Sequence, residues 1–329
     1  MKPLPTFEVS GHHHLKVSVE KLGKATPRED FKNMEKVFGD LPLDPELYKL
    51  DNFELESRCI NGVKLEKNAQ LTLMKDYLSG VNKRGECVMR YYQRYNFGRH
   101  WTREKLGIQS MSRKIRHTLC SDIMYDIDMK NAHPTLLSWY CHDNGIKCDG
   151  LDDFIENREQ YIANWMTRTN ATLDEVKELF LAIINRRRVK LTPDDPSWYK
   201  EFYSGMRHIM QSIVKLRPEL YALAKQSKDN RGTNYNIDGT TVNYVMCSLE
   251  NKALMIGFDF VTEQEIECGS LVFDGLMIYK DNVPPERLPE TLKGCSQKVK
   301  EVIGCNITFT NKVMDEGYIY LWTHHRPHL

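Results

Sequence analysis

Apolar residues recur at helical spacing through much of the second half of the chain. Thr172 and Glu175 have the spacing of a capping box, and the apolar residues from Val176 to Ile184 fall on one face of a predicted helix. Helical periodicity or a favourable helix start predicts further helices at 68–79, 135–142, 197–216, 218–227, 240–257 and 290–303.

Two apolar stretches instead predict strands that carry an acid. Residues 123–128 end at Asp128, shortly before Pro134, which suits the first turn of a helix. Residues 270–279 form two apolar runs around Asp274-Gly275, and such a pair predicts a hairpin whose two turn residues take positive φ. Closing strands are predicted at 306–310 and 318–322. Asp128 is the best candidate partner for Asp274, although each acid alone is most typical of an ordinary strand end or turn.

The distribution of charge along the chain is more informative about binding partners than the net charge. The 329 residues contain 46 Lys/Arg against 45 Asp/Glu, so the net charge excludes no class of partner. Residues 83–116, however, hold ten Lys/Arg and two glutamates, with five aromatic residues interleaved. This mixture suits neutralisation of phosphates together with stacking on bases, and a solvated helix face would look similar.

The cysteines and the chain ends indicate an intracellular protein. None of the nine cysteines forms a CxxC pair, which favours reduced, packed thiols over disulfides or a zinc site. No secretory leader or apolar run of membrane-spanning length is present, so we expect a soluble protein without a membrane partner. The histidine clusters at 12–14 and 324–328 are expected to be exposed loops, and we assign no metal to them.

Two acids at neighbouring strand ends, with a lysine-bearing helix between them in sequence, suit two-metal phosphoryl transfer. Two Mg²⁺ ions, for which Mn²⁺ can substitute, need acidic oxygens to bridge them, and a triphosphate needs a cation. A nucleotide polymerase uses these parts. We expect Asp126 to face the opposite side of its strand from Asp128 and give it a secondary role at most.

Several segments resemble motifs of the DNA polymerase I-type (family A) polymerases and the related single-subunit RNA polymerases. Asp128-Met-Lys-Asn-Ala-His133-Pro-Thr is similar to motif A, and Val272-Phe-Asp274-Gly-Leu-Met is similar to motif C, with Phe and Gly where His and Glu are usual. Three further similarities occur in the family's order. They are Gly98-Arg99 with Gly107-Ile-Gln109-Ser-Met and its following arginines, Lys177 with Asn185-Arg186, and Asn234-Tyr-Asn-Ile-Asp238-Gly-Thr-Thr.

The resemblance covers about residues 95–280 and implies a role for each matching position. Asp128 and Asp274 would be the catalytic, metal-binding acids. The nucleotide would be bound by Lys177, Arg186, Arg187, Arg188 and His133, and the primer-template by Arg99, Gln109, Arg113, Arg116, Asn234 and Asp238. His133 is bulky enough to exclude a ribose 2′-hydroxyl, which favours dNTPs, or it simply caps the helix before Pro134.

The resemblance implies an α+β polymerase palm, with an antiparallel sheet, helices on one face and a reduced helical fingers insertion. We expect an N-terminal arm at 1–50, a thumb-like basic segment at 51–118, the palm at 119–144 and 236–329, and the fingers at 145–235. The expected activity is DNA-directed DNA synthesis from dNTPs, in a compact enzyme of viral or mobile-element type. A primase or RNA polymerase, and a two-metal nuclease or non-catalytic nucleic-acid-binding protein, remain alternatives.

Overall fold

A computed structural model describes residues 91–93, 97–102, 107–111, 113–185 and 189–315, together with the backbone of five short strands before residue 91. The helix predicted at 68–79, the strand predicted at 318–322 and most of the expected N-terminal arm lie outside the described residues. No described helix combines the length and the apolar character that crossing a membrane requires.

The described strands and helices follow one another in this order. The strands are β1 (Leu15–Lys16), β2 (Arg28–Asp30), β3 (Arg58–Ile60), β4 (Val63–Leu65), β5 (Glu86–Val88), β6 (Tyr91–Gln93), β7 (Trp101–Thr102), β8 (Met124–Lys130), β9 (Cys268–Val272), β10 (Gly275–Tyr279) and β11 (Thr308–Lys312). The α-helices are α1 (Arg113–Cys120), α2 (Ala132–Asp143), α3 (Asp149–Glu156), α4 (Arg158–Thr169), α5 (Leu173–Ile184), α6 (Ser197–Leu216), α7 (Pro218–Asp229), α8 (Ile237–Glu263) and α9 (Leu288–Ile303), and 3₁₀ turns lie at Ile108–Ser110 and Lys280–Asn282.

A four-stranded antiparallel sheet in the order β11-β8-β10-β9 forms the centre of the molecule. The other described strands form short ladders, β1-β6-β7, β2-β5 and β3-β4. With helices in most of the remaining described residues, this sheet confirms the predicted α+β class.

The two faces of the sheet differ in character. Leu276 pairs with Ile127, and Phe309 pairs with Met129, two residues further along β8, so these side chains share the apolar face, where they are buried. Helices α8 and α9 pack on this face, where a side chain at Gly257 would come within 2.9 Å of the Phe309 ring. The other face carries Asp126 and Asp128. The helix layer therefore covers one face and leaves the acids on the other.

The segment between α2 and α8 is helical, as predicted for 145–235. Helices α3 to α6 pack around an aromatic cluster in which the rings of Phe154 and Phe202 are 5.0 Å apart and those of Tyr161 and Trp198 are also 5.0 Å apart. The capping box that opens α5 is present, because Thr172 N donates to Glu175 Oε2 at 2.8 Å and Thr172 Oγ1 accepts from Glu175 N. This cluster fills the interior of the helical segment and is continuous with the core under the sheet.

Candidate active site

The sheet brings Asp128 and Asp274 to adjacent strands. Asp128, near the end of β8, lies directly opposite Gly275, the first residue of β10, so Asp274 is one position from this pair. The amide of Met129 donates to the carbonyl oxygen of Asp274 at 3.3 Å, which closes the ladder at the hairpin tip. The predicted partnership of these two acids thus has a direct basis in the strand register.

The hairpin turn lies one residue earlier than predicted. Val272 pairs with Gly275, so the two turn residues are Phe273 and Asp274. Phe273 takes φ of +56°, whereas neither Asp274 nor Gly275 is among the residues with positive φ. The prediction that Asp274 and Gly275 form the turn with positive φ is therefore wrong. A bulky residue in the left-handed region is strained, and surrounding contacts must hold it there.

Aromatic and cationic contacts hold the Phe273 ring in this conformation. The ring of Trp101 meets it edge-on at a centroid distance of 5.8 Å. The guanidinium of Arg99 lies over it, 5.3 Å from the ring centroid. Strain of this kind, stored beside an acid at a hairpin tip, is a feature of functional sites rather than of ordinary turns.

Gly275 has a steric role in this register. A Cβ at residue 275 would lie 2.5 Å from the carbonyl oxygen of Ile127 and 3.3 Å from Asp128 Oδ1. No side chain fits there without separating β10 from β8. Glycine therefore permits the close strand approach that sets Asp274 beside Asp128, and it explains why no second acid follows Asp274.

The surroundings of Asp274 disfavour its charged form. Burial, with the negative charges of Asp128 and Glu250, raises the pKa of Asp274 to about 6, although the positive charge of Arg99 lowers it. At neutral pH the tip therefore holds a partly buried carboxylate next to another negative charge. Such a pair is stabilised by a cation.

Asp126 lies on the same face as Asp128, because residues two apart on a strand point to the same side. The expectation that it faces the opposite side is wrong. Lys312 on β11 is directly opposite Asp126 and forms an ion pair with Asp128 Oδ2. Burial raises the pKa of the Asp126 carboxyl, and the positive charges of Arg116 and Lys312 partly offset that increase. Asp126 is thus part of the charged group around the candidate site.

A buried glutamate that the sequence interpretation missed completes this group. Glu250, in the middle of α8, has a fully buried side chain that accepts from Arg99 Nη2 at 2.7 Å and also from Arg99 Nε. His133 Nε2 lies 2.7 Å from Glu250 Oε2. Burial raises the pKa of Glu250, but hydrogen bonds from His133 and Arg99 outweigh it and leave the pKa below its ordinary value. Glu250 is therefore an ionised anchor.

His133 links this anchor to the helical segment. Its Nδ1 lies 2.8 Å from Asn185 Oδ1, at the C-terminal end of α5. Lys177 is eight residues before Asn185, or about 12 Å along the helix axis, so the end of α5 rather than Lys177 contacts His133. Arg186, Arg187 and Arg188 lie outside the described residues. The nucleotide-binding roles given to these positions stay predictions.

The residues assigned to the primer-template divide into buried and exposed positions. Gln109 is buried and its Nε2 donates to the carbonyl oxygens of His100 at 2.9 Å and Leu271 at 3.1 Å, so it joins the basic segment to β9. Arg116 is buried, and burial lowers its pKa although Asp126 and Asp128 raise it. Arg113 is exposed on α1. In the described part of the chain, Arg113 is thus better placed than Gln109 or Arg116 to reach a ligand.

Asn234 and Asp238 lie before and within the first turn of α8. Asn236 is the N-cap, with φ of 54° and Oδ1 accepting from Gly239 N at 3.2 Å. Asn234 is exposed and Asp238 is half-buried. Neither residue caps the helix, and a nucleic-acid contact for either of them stays a prediction.

The chain resembles known proteins only distantly or over part of their length. The putative helicase V13 of Sputnik virophage is 31% identical over 227 residues, which cover 66% of this chain and 28% of that protein. The polymerase domain of Pol1 from M. smegmatis, solved with DNA primer-template and dNTP, matches with a TM-score of 0.49 and 8% identity over 89% of this chain and 68% of that one. A likeness this weak assigns neither family nor function. No protein-family model matches the chain.

Proposed function

We propose that this chain is a template-directed nucleotidyltransferase that extends a 3′-hydroxyl with dNTPs. The observation that carries the proposal is the acid pair, in which Asp128 and Asp274 meet on adjacent strands at a hairpin held by a strained Phe273. The pKa of Asp274, raised to about 6 by burial and by Asp128, supports a carboxylate that a bound cation would stabilise, since no described residue forms an ion pair with it.

The donor set fits hard divalent cations. Asp128 and Asp274 offer carboxylate oxygens, the ligands that Mg²⁺ prefers, and Mn²⁺ accepts the same set. When bound there, the ions would supply Lewis-acid stabilisation of the charge that develops on the transferred phosphoryl group. Lys312, now paired with Asp128, would have to exchange this partner when a cation binds.

The surrounding residues would position the reactants. Glu250 fixes Arg99 and His133 at one side of the acid pair. Their side chains would therefore contact the reactants in one fixed orientation. The sheet with its α8–α9 layer would serve as the palm, and α3 to α7 as the reduced fingers. The basic residues before 118 would meet the phosphates of the primer-template.

The virophage relative supports a role in viral replication, and its name raises a second candidate. An ATP-driven helicase of the phosphate-loop type needs a G-x-x-x-x-G-K-[S/T] motif to cradle its triphosphate. The 329 residues contain no such motif. The segment shared with the relative, which is 28% of that protein, therefore carries no phosphate-loop signal for ATP-driven unwinding.

The proposal is tested with a 5′-labelled primer annealed to a longer DNA template, in Mg²⁺ with and without dNTPs. We expect the primer to lengthen only when dNTPs are present. A primer that becomes shorter without nucleotides would show a nuclease. A primer that keeps its length, although the protein binds the duplex, would show a non-catalytic binding protein. Either result would overturn the proposal.

Sugar selectivity at the same site is tested with His133→Gly. If His133 excludes the 2′-hydroxyl, the variant incorporates NTPs relative to dNTPs on the order of tenfold more often than the parent. Glu250→Gln is the matched control, because it disturbs the His133 contact and keeps the imidazole. Equal selectivity in the parent and His133→Gly would remove the sugar-facing role, and a parent that prefers NTPs would indicate a primase or RNA polymerase.

A further inference from the structure

A group of metal-ligating side chains lies away from the acid pair, at the junction of α2 and α3. His142 Nε2 lies 3.0 Å from Asp152 Oδ2, and Cys148 Sγ lies 3.5 Å from the same oxygen and 3.7 Å from His142 Nε2. The three ligand atoms converge within 4.8 Å of one another. His142 lies in the last turn of α2, Cys148 directly precedes α3, and Asp152 lies in the first turn of α3.

The spacing of these atoms matches a tetrahedral ion. Zn–S, Zn–N and Zn–O bonds of about 2.3, 2.0 and 2.1 Å place the ligand atoms of a tetrahedral site roughly 3.4–3.6 Å apart. The three observed distances, 3.0, 3.5 and 3.7 Å, are close to these edges. A sulfur, an imidazole and a carboxylate select zinc over magnesium, because thiolate and imidazole ligands are softer than the oxygens that magnesium requires.

The neighbours of the group are arranged as at a metal centre. Ser138 Oγ donates to the second oxygen of Asp152 and thereby orients the carboxylate. Cys148 is buried, whereas the His142 side chain is 65% exposed, so an ion would be held from the protein side and reached from solvent. Cys141, whose thiol is hydrogen-bonded to the free thiol of Cys148, is a second sulfur next to the group.

We propose that His142, Cys148 and Asp152 bind one Zn²⁺, with a water as the fourth ligand. The ion would fix the bend between α2, which begins next to the acid pair, and the helical segment that starts with α3. The spacing of the cysteines along the chain did not indicate this zinc site. The three ligands are of different residue types, and they come together only through the turn at 144–148. This assignment does not depend on the proposed function.

The test is the zinc content of the purified full chain, together with the absorption spectrum after replacement by Co²⁺. We expect about one zinc per chain, and with Co²⁺ a thiolate-to-metal charge-transfer band and the intense visible bands of a tetrahedral ion. Cys148→Ser should lose the charge-transfer band and the bound zinc. Ser138→Ala should weaken zinc binding by about 10–100-fold, because it frees the carboxylate.

Two cysteine variants serve as controls. Cys305→Ser removes a buried free thiol that is not part of the converging group and should leave the zinc content unchanged. Cys141→Ser should also retain zinc, because its sulfur is outside the converging group. Absence of zinc and of a cobalt–thiolate band in the parent would overturn the proposal, and so would a Cys148→Ser variant, folded by circular dichroism, that binds as much zinc as the parent.

Discussion

At the scale of single residues, the candidate site is an arrangement of charges that are costly unless partnered. Glu250 has its partners within the protein, since Arg99 forms an ion pair with it, His133 Nε2 lies 2.7 Å from its Oε2, and these contacts hold its pKa low. Asp274 has no ion pair within the part of the chain that the structure describes, and burial together with Asp128 and Glu250 raises its pKa to about 6, although Arg99 lowers it. The difference makes Glu250 a structural anchor and Asp274 the candidate group for binding a ligand.

Asp274→Asn should therefore stabilise the protein at pH 8. A carboxyl whose pKa is higher in the folded than in the unfolded state costs stability above its folded pKa, and this cost disappears as the pH falls from about 6 toward 4. The variant avoids it, so its free energy of unfolding should exceed that of the parent by roughly 1–3 kcal/mol at pH 8.

Denaturant unfolding in magnesium-free buffer at pH 8 and pH 4.5 measures this difference. The gain should shrink at the lower pH. Asp281→Asn, at an exposed aspartate in a 3₁₀ turn, is the control and should change stability by less than about 0.5 kcal/mol. An Asp274→Asn variant no more stable than the parent at pH 8 would contradict the account of an unpartnered charge.

At the scale of elements, the register of β8 and β10 decides where the acids lie. That register depends on a glycine at 275, because a Cβ there would be 2.5 Å from the Ile127 carbonyl oxygen. It also depends on a turn that ends at Asp274 and not at Gly275. The steric fit of the hairpin therefore sets the position of the Asp274 carboxylate next to that of Asp128.

Gly275→Ala should separate the two strands and move Asp274. We expect a loss of roughly 1–3 kcal/mol in unfolding free energy, as for other overpacked sites, together with a loss of primer extension. Gly205→Ala is the matched control, because Gly205 lies inside α6 with no atom within 4 Å of its would-be Cβ. It should gain about 0.5–1 kcal/mol and keep its activity. A Gly275→Ala variant that matches the parent in both properties would show that the register does not need this glycine.

Local patterns were sufficient to predict several elements. The bounds of α6 agree with the predicted 197–216, and the capping box at Thr172 forms as its spacing indicated. Both features depend on residues within a few positions of one another. The turn was misplaced because Asp-Gly is the stronger local hairpin signal, whereas contacts of Phe273 with Trp101 and Arg99, from distant parts of the chain, hold the residue in its strained conformation.

At the scale of the whole molecule, the site is assembled from distant parts of the chain. Arg99 and Glu250 are separated by 151 residues, and Asp128 meets the hairpin only through the sheet. The pairing of the two acids was predicted because each ends an apolar run, but no local pattern indicates that Glu250 anchors Arg99 and His133. The sequence signal that could have indicated Glu250 is an acid between Leu249 and Ala253 on a long apolar helix, where it is expected to be buried and to need a partner.

The central claim is that Asp128 and Asp274 act together in nucleotidyl transfer. Primer extension by the parent, Asp274→Asn and the double variant Asp128→Asn, Asp274→Asn tests it most directly, with affinity for the primer-template duplex measured on the same samples. We predict that both variants lose extension while their duplex affinity stays near that of the parent. Extension that survives in the folded double variant would contradict the account.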